Sequence, residues 1–279
     1  MVPGVDWRLK MHIEVFSNPF EMAQGAAALA VSAIRSRLAA QRTVVLVAAT
    51  GTSQIAFLEN LTQDRSIDWS RVEVFHLDEY TGLGIEHPAS FARYIRDRLI
   101  YPTGVSNYHL LDGARDPREV IAEANMEISS RVVDIAFVGI GENGHLAFND
   151  PPADFQVEAP YIVVNLDTRC RRQQVNEGWF ATLDEVPHQA ISMSVRQILK
   201  SKEIIAVVPD KRKSRAVKES IEGPIVPSVP ASILQRHSNV SIFLDRDSAS
   251  LLERRSESTL AEYTRRLVGA PRSGATPME

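Results

Sequence analysis

Seven short apolar runs recur along the chain: HIEVF at 12–16, TVVLVAA at 43–49, VEVFHL at 72–77, DIAFVGI at 134–140, YIVVNL at 161–166, EIIAVV at 203–208 and VSIFL at 240–244. They are too continuous for one-face alternation, which predicts strands buried on both faces. Between most of them lie helix-length amphipathic segments, at 21–42, 53–61, 89–100, 117–130, 211–221 and 248–267. In the first of these, Ile34 and Leu38 stand four apart, on one helical face. Strand–helix alternation predicts an α/β fold: a three-layer, Rossmann-like, mostly parallel sheet with helices on both faces. In such sheets ligands bind beyond the carboxyl ends of the strands. The expected organisation is one domain over 1–268 and a flexible, Gly/Pro/Ser-rich tail over 269–279.

Three predicted strand ends carry unusual chemistry. The first runs into Thr50, Gly51, Thr52 and Ser53, where a helix begins. Backbone N–H groups at a helix start, with small hydroxyls, suit a phosphate; the same pattern suits a plain capped helix. No Walker-type Gly-Lys-Ser/Thr follows, so a nucleotide loop is not expected. The second strand end is VFHLDEYTGL, with Asp78 and Glu79 adjacent. Adjacent residues of an extended chain point to opposite faces, so one carboxylate of the pair can face a ligand and serve proton transfer. The alternative is an acidic pair that caps the next helix.

The third is GIGENGHLAFNDPP, residues 139–152. Gly139 and Gly141 let the backbone approach a ligand without a Cβ clash. Asn143 can fix the orientation or tautomer of His145, and Asp150 can close back on it. His145 has no HxxxH or HxH partner, and Cys170, the single cysteine, is remote in sequence, so no metal site is expected. His76, His87 and His109 form no group and read as surface or loop residues. Cys170 reads as a bystander. Lys211, Arg212, Lys213, Arg215 and Lys218 form a basic run at a helix start. Most of it reads as a solvated face, with one member free to enter the cleft and pair with a phosphate.

Composition narrows the class. Across 279 residues the formal charge is −4, which speaks against a nucleic-acid or membrane role built on a basic face. One cysteine allows no internal disulfide and fits a reducing compartment. No secretory signal and no membrane-length apolar run is read, so a cytoplasmic location is expected.

The order ATGTS, then LDEYTGL, then GIGENGHLAFNDP, then a lysine on the helix after IIAVVPD resembles the glucosamine-6-phosphate deaminase family from about residue 12 to about residue 265. The resemblance implies deamination and aldose–ketose isomerisation of a hexosamine 6-phosphate, with no cofactor and no metal. It implies that Asp78 moves a proton between C2 and C1 and that His145 assists ring opening. Asn143 and Asp150 would orient or assist the histidine. Lys213 and the Thr50–Gly51–Thr52 backbone, with Ser53, would hold the phosphate, and Gly139 and Gly141 would line the sugar. The expected partner is that small-molecule substrate, with no nucleic acid and no membrane; a homo-oligomer stays open. The chain departs from the family pattern at four places. It has Asn143 where the family has Asp, Asp150 where it has Glu, Gln174 at its phosphate-binding arginine, and one glycine fewer in the phosphate loop. Arg171 or Arg172 would then stand in for that arginine. The departures keep two alternatives open, a 6-phosphogluconolactonase-type hydrolase and a non-catalytic sugar-phosphate-binding regulator.

Overall fold

The structure, a computed structural model, describes residues 11–253 and 257–269. Its elements run β1 (Met11–Phe16), α1 (Pro19–Ala40), β2 (Val44–Ala48), a 3₁₀ turn (Thr52–Gln54), α2 (Ile55–Gln63), β3 (Val72–His76) and β4 (Asp78–Tyr80). Next come α3 (Phe91–Ile95), which continues through a π turn (Arg96–Ile100) into α4 (Tyr101–Thr103), then β5 (Asn107–His109), α5 (Pro117–Ser129) and β6 (Ile135–Val138). The chain finishes with β7 (Tyr161–Asn165), α6 (Thr168–Asn176), β8 (Gln189–Met193), α7 (Val195–Leu199), β9 (Glu203–Val208), α8 (Ser214–Glu222), β10 (Val240–Asp245) and α9 (Leu260–Gly269).

Local chemistry sets several of these boundaries. Asn18 caps α1 by accepting from the Glu21 N–H at 2.9 Å, and Pro19 supplies a preset φ at the first position. Asp116 and Pro117 repeat the device at α5. Thr259 and Glu262 form a reciprocal capping box at α9, with bonds of 3.1 and 3.2 Å. That box explains why the expected helix over 248–267 starts only at Leu260. Residues 246–251 form turns, closed by Ala249 N–H donating to the Asp245 carbonyl at 3.0 Å.

Seven strands form one sheet in the order β1-β10-β9-β6-β2-β3-β5, every pair parallel. One face is packed by α1, α2, α3 and α9, through residues such as Ile34, Phe57, Ile95 and Tyr263. The other is packed by α5, α7 and α8, through Ala124, Ile198 and Val217. This is the three-layer arrangement expected from strand–helix alternation. The strand order reverses between β2 and β6, so the loops leaving their carboxyl ends part there and open a crevice.

The run at 161–166 does not join this sheet. It forms β7, which pairs antiparallel with β8, and β8 pairs antiparallel with β4. Along β7 alternate residues are half-buried and exposed, so it is not buried on both faces. This small sheet covers a third apolar cluster that includes Tyr80, Phe91, Phe148, Phe180 and Cys170. Among the described residues no helix is long and apolar enough to cross a membrane. The expected tail lies outside the described residues beyond Gly269, which closes α9.

Asp134 locks the centre of the large sheet. Its buried carboxylate accepts from the Val45 N–H at 2.9 Å, the Gln41 amide at 2.9 Å and Lys202 Nζ at 2.8 Å, joining the starts of β2, β6 and β9. Asp134→Ala leaves the Val45 N–H buried and unpaired. It is expected to cost about 1–3 kcal/mol, read as a lower urea midpoint at unchanged slope; an unchanged midpoint would show that this carboxylate does not hold the sheet.

Candidate active site

A cleft of about 500 Å³ opens at the carboxyl ends of β2, β3, β6 and β9. Four strand-end segments and helix α6 line it, with Phe91 at the start of α3, and the segments and α6 bring different chemistries.

After β2 the chain reaches Gly51 at φ 93°, a conformation that a side chain would strain. The 3₁₀ turn follows at once. Thr50, Gly51 and Ser53 line the cleft, whereas Thr52 lines an adjoining outer cavity with Lys211 and Arg212. After β3 come Asp78 and Glu79, on β4. Asp78 lines the cleft, is 5% exposed, and its Oδ1 has no hydrogen-bond partner. Burial pushes its carboxyl well above the usual range, and the neighbouring Glu79 charge adds to the effect. Glu79 points away from the cleft. Its carboxylate accepts from the N–H groups of Tyr80, Phe91 and Ala92 and from Ser90 Oγ, at 2.7 to 3.1 Å. Of the two readings weighed for this pair, Glu79 makes the helix-capping contacts, and Asp78 is left facing the cleft.

After β6 the chain folds into a tight ring. Gly141 N–H donates to the His145 carbonyl at 3.0 Å, and Gly144 N–H to the Gly141 carbonyl at 3.0 Å. The Gly141 backbone lies flat against the imidazole: a Cβ there would sit 2.2 Å from His145 Cε1. Only glycine allows that approach. The next residue but one past His145, Ala147, lines the cleft at φ 53°, a strained value for a residue with a side chain. His145 Nδ1 lies 3.2 Å from Asp150 Oδ1, within ion-pair distance but outside good hydrogen-bond geometry. Burial alone would raise the Asp150 carboxyl. His145, the Asn143 amide and the Asp167 N–H outweigh it and hold that carboxyl below its ordinary range.

Asn143 makes no hydrogen bond to the imidazole, so it does not set the tautomer directly. Its Oδ1 accepts from the backbone N–H of His145 at 3.1 Å, and its Nδ2 donates to Asp150 Oδ1 and Asp167 Oδ2, both at 2.9 Å. It clamps two carboxylates, and Asp150 supplies the charge beside the ring.

After β9, Asp210 takes φ 87° and accepts from the Arg212 N–H at 2.9 Å, which starts the short turn carrying Lys213. Lys213 is 5% exposed and lines the cleft. Burial holds its ammonium below the ordinary range, with Glu177 and Glu142 acting in the opposite direction. Arg212 instead pairs with Asp210 at 2.6 Å, and Arg215 with Glu219 at 2.7 Å, on the solvated face.

Helix α6 contributes residues that the sequence did not single out as lining: Gln173 and Glu177, beside Gln174. Glu177 ends the helix, where Gly178 at φ 82° turns the chain and Trp179 N–H donates back to the Gln174 carbonyl at 3.0 Å. Neither Arg171 nor Arg172 fills the place of Gln174. Arg171 is buried and donates to the carbonyls of Leu183 and Val186 at 2.6 to 3.2 Å, and Arg172 is exposed.

Three further expectations need correction. Cys170 is not remote in space: its Sγ, His145 and Asp150 keep their donor atoms within 4.8 Å of one another, a group able to hold a metal ion. Burial pushes the Cys170 thiol well up, and Asp150 adds to this, so the thiol stays protonated and faces that carboxylate. His76 is fully buried on β3, where burial drives its pKa down to about 3. His109 sits between two carboxylates, 2.9 Å from Glu73 and 2.7 Å from Glu127, and stacks on Phe75. His87 does lie in a loop.

Residues 17–243 match the family described as glucosamine-6-phosphate isomerases/6-phosphogluconolactonase. The chain is 33% identical over 246 residues to a glucosamine-6-phosphate deaminase of Oenococcus oeni, which covers 88% of this chain and 100% of that protein. It is 35% identical over 250 residues to one of Clostridium botulinum, covering 87% and 99%. A solved monomeric glucosamine-6-phosphate deaminase superposes with a TM-score of 0.80 at 29% identity, over 86% of this chain and 100% of that one. The 6-phosphogluconolactonase of Trypanosoma brucei superposes with a TM-score of 0.73 at 16% identity, over 87% and 99%, a likeness of fold.

The clamp at Asn143 generates a test. Asn143→Asp sets a third carboxylate against Asp150 and Asp167 and removes both donated bonds. Like charges raise the folded-state pKa of the new acid, so its penalty is absent while it is protonated and grows as pH rises. The variant is expected to lose about 1–3 kcal/mol or more near pH 8 and less at pH 5, measured by urea denaturation at both. A penalty equal at the two pH values would contradict the clamp.

Proposed function

The chain belongs to the family of glucosamine-6-phosphate isomerases and 6-phosphogluconolactonases, and on that footing we propose that it acts as a glucosamine-6-phosphate deaminase, converting glucosamine 6-phosphate and water into fructose 6-phosphate and ammonia. One observation carries the reading: a cleft with a buried unpartnered carboxylate and a His–Asp pair at one part, and a buried lysine beside a helix-start loop at another. That is what proton chemistry on a sugar anchored by its phosphate needs.

The phosphate is held by Lys213 and the backbone around Gly51–Ser53, with the Thr50 side of the loop closing the end. A fixed far end keeps the reacting carbons in place; in the best intramolecular cases such positioning is worth ~7 kcal/mol or more. The sugar lies along Gly139 and Gly141. His145 takes the proton from O1 and returns it to the ring oxygen, which opens the pyranose to the aldehyde. Asp150 stabilises the imidazolium between these steps, and Asn143 keeps Asp150 in place.

Asp78 then removes the C2 proton, giving an enolamine, and delivers a proton to C1. The resulting ketose imine is attacked by water at C2, and the C–N bond breaks to release ammonia and fructose 6-phosphate. A carboxylate in a dry setting is a stronger base than one in water, so the raised Asp78 pKa favours proton abstraction once the group is ionised. The ammonium on C2 of the arriving substrate favours the ionised form. The 6-phosphogluconolactonase alternative finds less support, because solved lactonases match at 15–21% identity, a level that speaks to fold.

The purified protein is expected to release ammonia from glucosamine 6-phosphate, read by a coupled dehydrogenase, and to leave 6-phosphogluconolactone at its uncatalysed rate. Lactone hydrolysis without ammonia release would overturn the assignment. The acidic limb of kcat/KM, which reports the free protein, is expected above the ordinary aspartate range, because a raised pKa leaves Asp78 protonated to higher pH. The limb of kcat is expected lower, because the bound ammonium favours the carboxylate. Coincident limbs in the ordinary range would contradict the role given to Asp78. Lys213→Ala is expected to raise KM by roughly ten- to a hundredfold, the loss of one charged hydrogen bond, and to change kcat less; an unchanged KM would remove Lys213 from the phosphate end.

A further inference from the structure

A second ionisable group stands at the phosphate end of the cleft, and the scheme above does not use it. Glu177 has a side chain only 4% exposed, and its Oε1 lies 3.8 Å from Lys213 Nζ. It is held rigidly. Gln173 Nε2 donates to Oε1 at 2.7 Å, and Trp179 Nε1 donates to Oε2 at 3.3 Å. The other side of the carboxylate faces the loop after β2: the Cβ direction at Gly51 leads to Glu177 Oε2 at 4.0 Å. Glu177 lines both the cleft and the outer cavity. Close by, Gln174 Oε1 is buried without a partner, and it lines the cleft too. An anion seated between Lys213 and the Gly51 loop therefore meets the Lys213 ammonium and, in Glu177, a carboxylate that can only accept hydrogen bonds, with the Gln174 amide also lining the cleft.

A fully deprotonated oxyanion would be repelled by that carboxylate. An oxyanion that carries a proton on one oxygen would instead donate to Glu177 while its other oxygens accept from Lys213 and the loop N–H groups. We propose that Glu177 is a specificity-determining residue that makes this end of the cleft select a protonated oxyanion, so that it takes phosphate and rejects sulfate. The proposal rests on the reading that a phosphate docks at Lys213. It deepens that reading by naming the protonation state and the group that recognises it. A phosphate monoester with a second pKa near ~6 can carry the proton near neutrality. A sulfate ester cannot. Net charge does not make the distinction for the inorganic anions, since near pH 8 hydrogen phosphate and sulfate are both divalent and similar in size; they differ in the proton.

The test is competition and binding by inorganic phosphate and inorganic sulfate at one pH near 8 and one ionic strength. Inhibition of glucosamine 6-phosphate turnover gives one ratio of affinities, and titration calorimetry gives the same ratio without turnover. Failure of the deaminase reading, which would show as no turnover, is thereby separated from failure of the present one. The parent is expected to bind phosphate roughly ten- to a hundredfold more tightly than sulfate, the scale of leaving a buried acceptor unpaired and opposed by like charge. Glu177→Gln offers an N–H in place of one carboxylate oxygen and is expected to bring the two affinities within a few-fold, by tightening sulfate. Glu177→Ala, which empties the position, is expected to do the same and serves if the glutamine variant does not fold. A parent ratio near one overturns the proposal by itself, and so does a parent ratio that survives both substitutions.

Discussion

The Glu79 carboxylate is the interaction on which the site depends. It accepts from three backbone N–H groups and the Ser90 hydroxyl while fully buried, and so fixes β4 against the first turn of α3. Burial pushes its pKa up to about 7, with the donors of Ala92, Ser90, Phe91 and Tyr80 working to lower it. Its geometry decides where its neighbour points. Side chains alternate along an extended strand, so an outward Glu79 turns Asp78 into the cleft. The small antiparallel sheet then holds that register, Asp78 pairing with Ser192 and Glu79 with Ile191. A carboxylate on a strand, locked by a buried neighbour, keeps its aim better than one on a loop.

The histidine end follows the same logic by a different route. Asp167 caps α6 by accepting from Cys170 N–H at 2.7 Å, and its other oxygen takes the Asn143 amide. Asn143 holds Asp150, and Asp150 faces the imidazole. A helix cap is thus linked, through one amide, to the carboxylate beside the His145 ring. Glycine at 141 completes the arrangement by letting backbone lie against the ring. Asp78 and His145 are therefore aimed by separate hydrogen-bonded chains that meet in one cleft.

Much of the large sheet was legible because six of the seven apolar runs are strands of that sheet, and continuous apolarity marks a strand covered on both faces. The seventh, at 161–166, was read as the same kind of strand, because alternation between half-buried and exposed valines and isoleucines does not change the residue types. β4, β5 and β8 were missed: three to five residues with polar members give no periodic signal. The cleft residues after strand ends were legible as types that do not belong in a core, among them Asp78, His145 and Gly141. Gln173 and Glu177 were not, because a polar residue on a helix reads as solvated until the fold turns that face inward. His76 shows the converse, a titratable residue taken for surface that is fully buried within β3. Asn143 was read one bond short: its neighbour in sequence is His145, but its side chain reaches past it to Asp150 and Asp167.

The division of labour within the Asp78–Glu79 pair is tested most directly by two isosteric substitutions, each followed by turnover of glucosamine 6-phosphate and by urea denaturation. Asp78→Asn is expected to keep the parent's denaturation midpoint or raise it, since it removes a buried charge, and to lose turnover by ~10²- to 10⁴-fold, the usual cost of a missing general base. Glu79→Gln is expected to do the reverse. It places N–H groups against N–H groups, which should lower stability by about 1–3 kcal/mol or more while the folded fraction still turns over substrate. Turnover surviving in Asp78→Asn, or vanishing in a fully folded Glu79→Gln, would contradict the arrangement at the heart of this site.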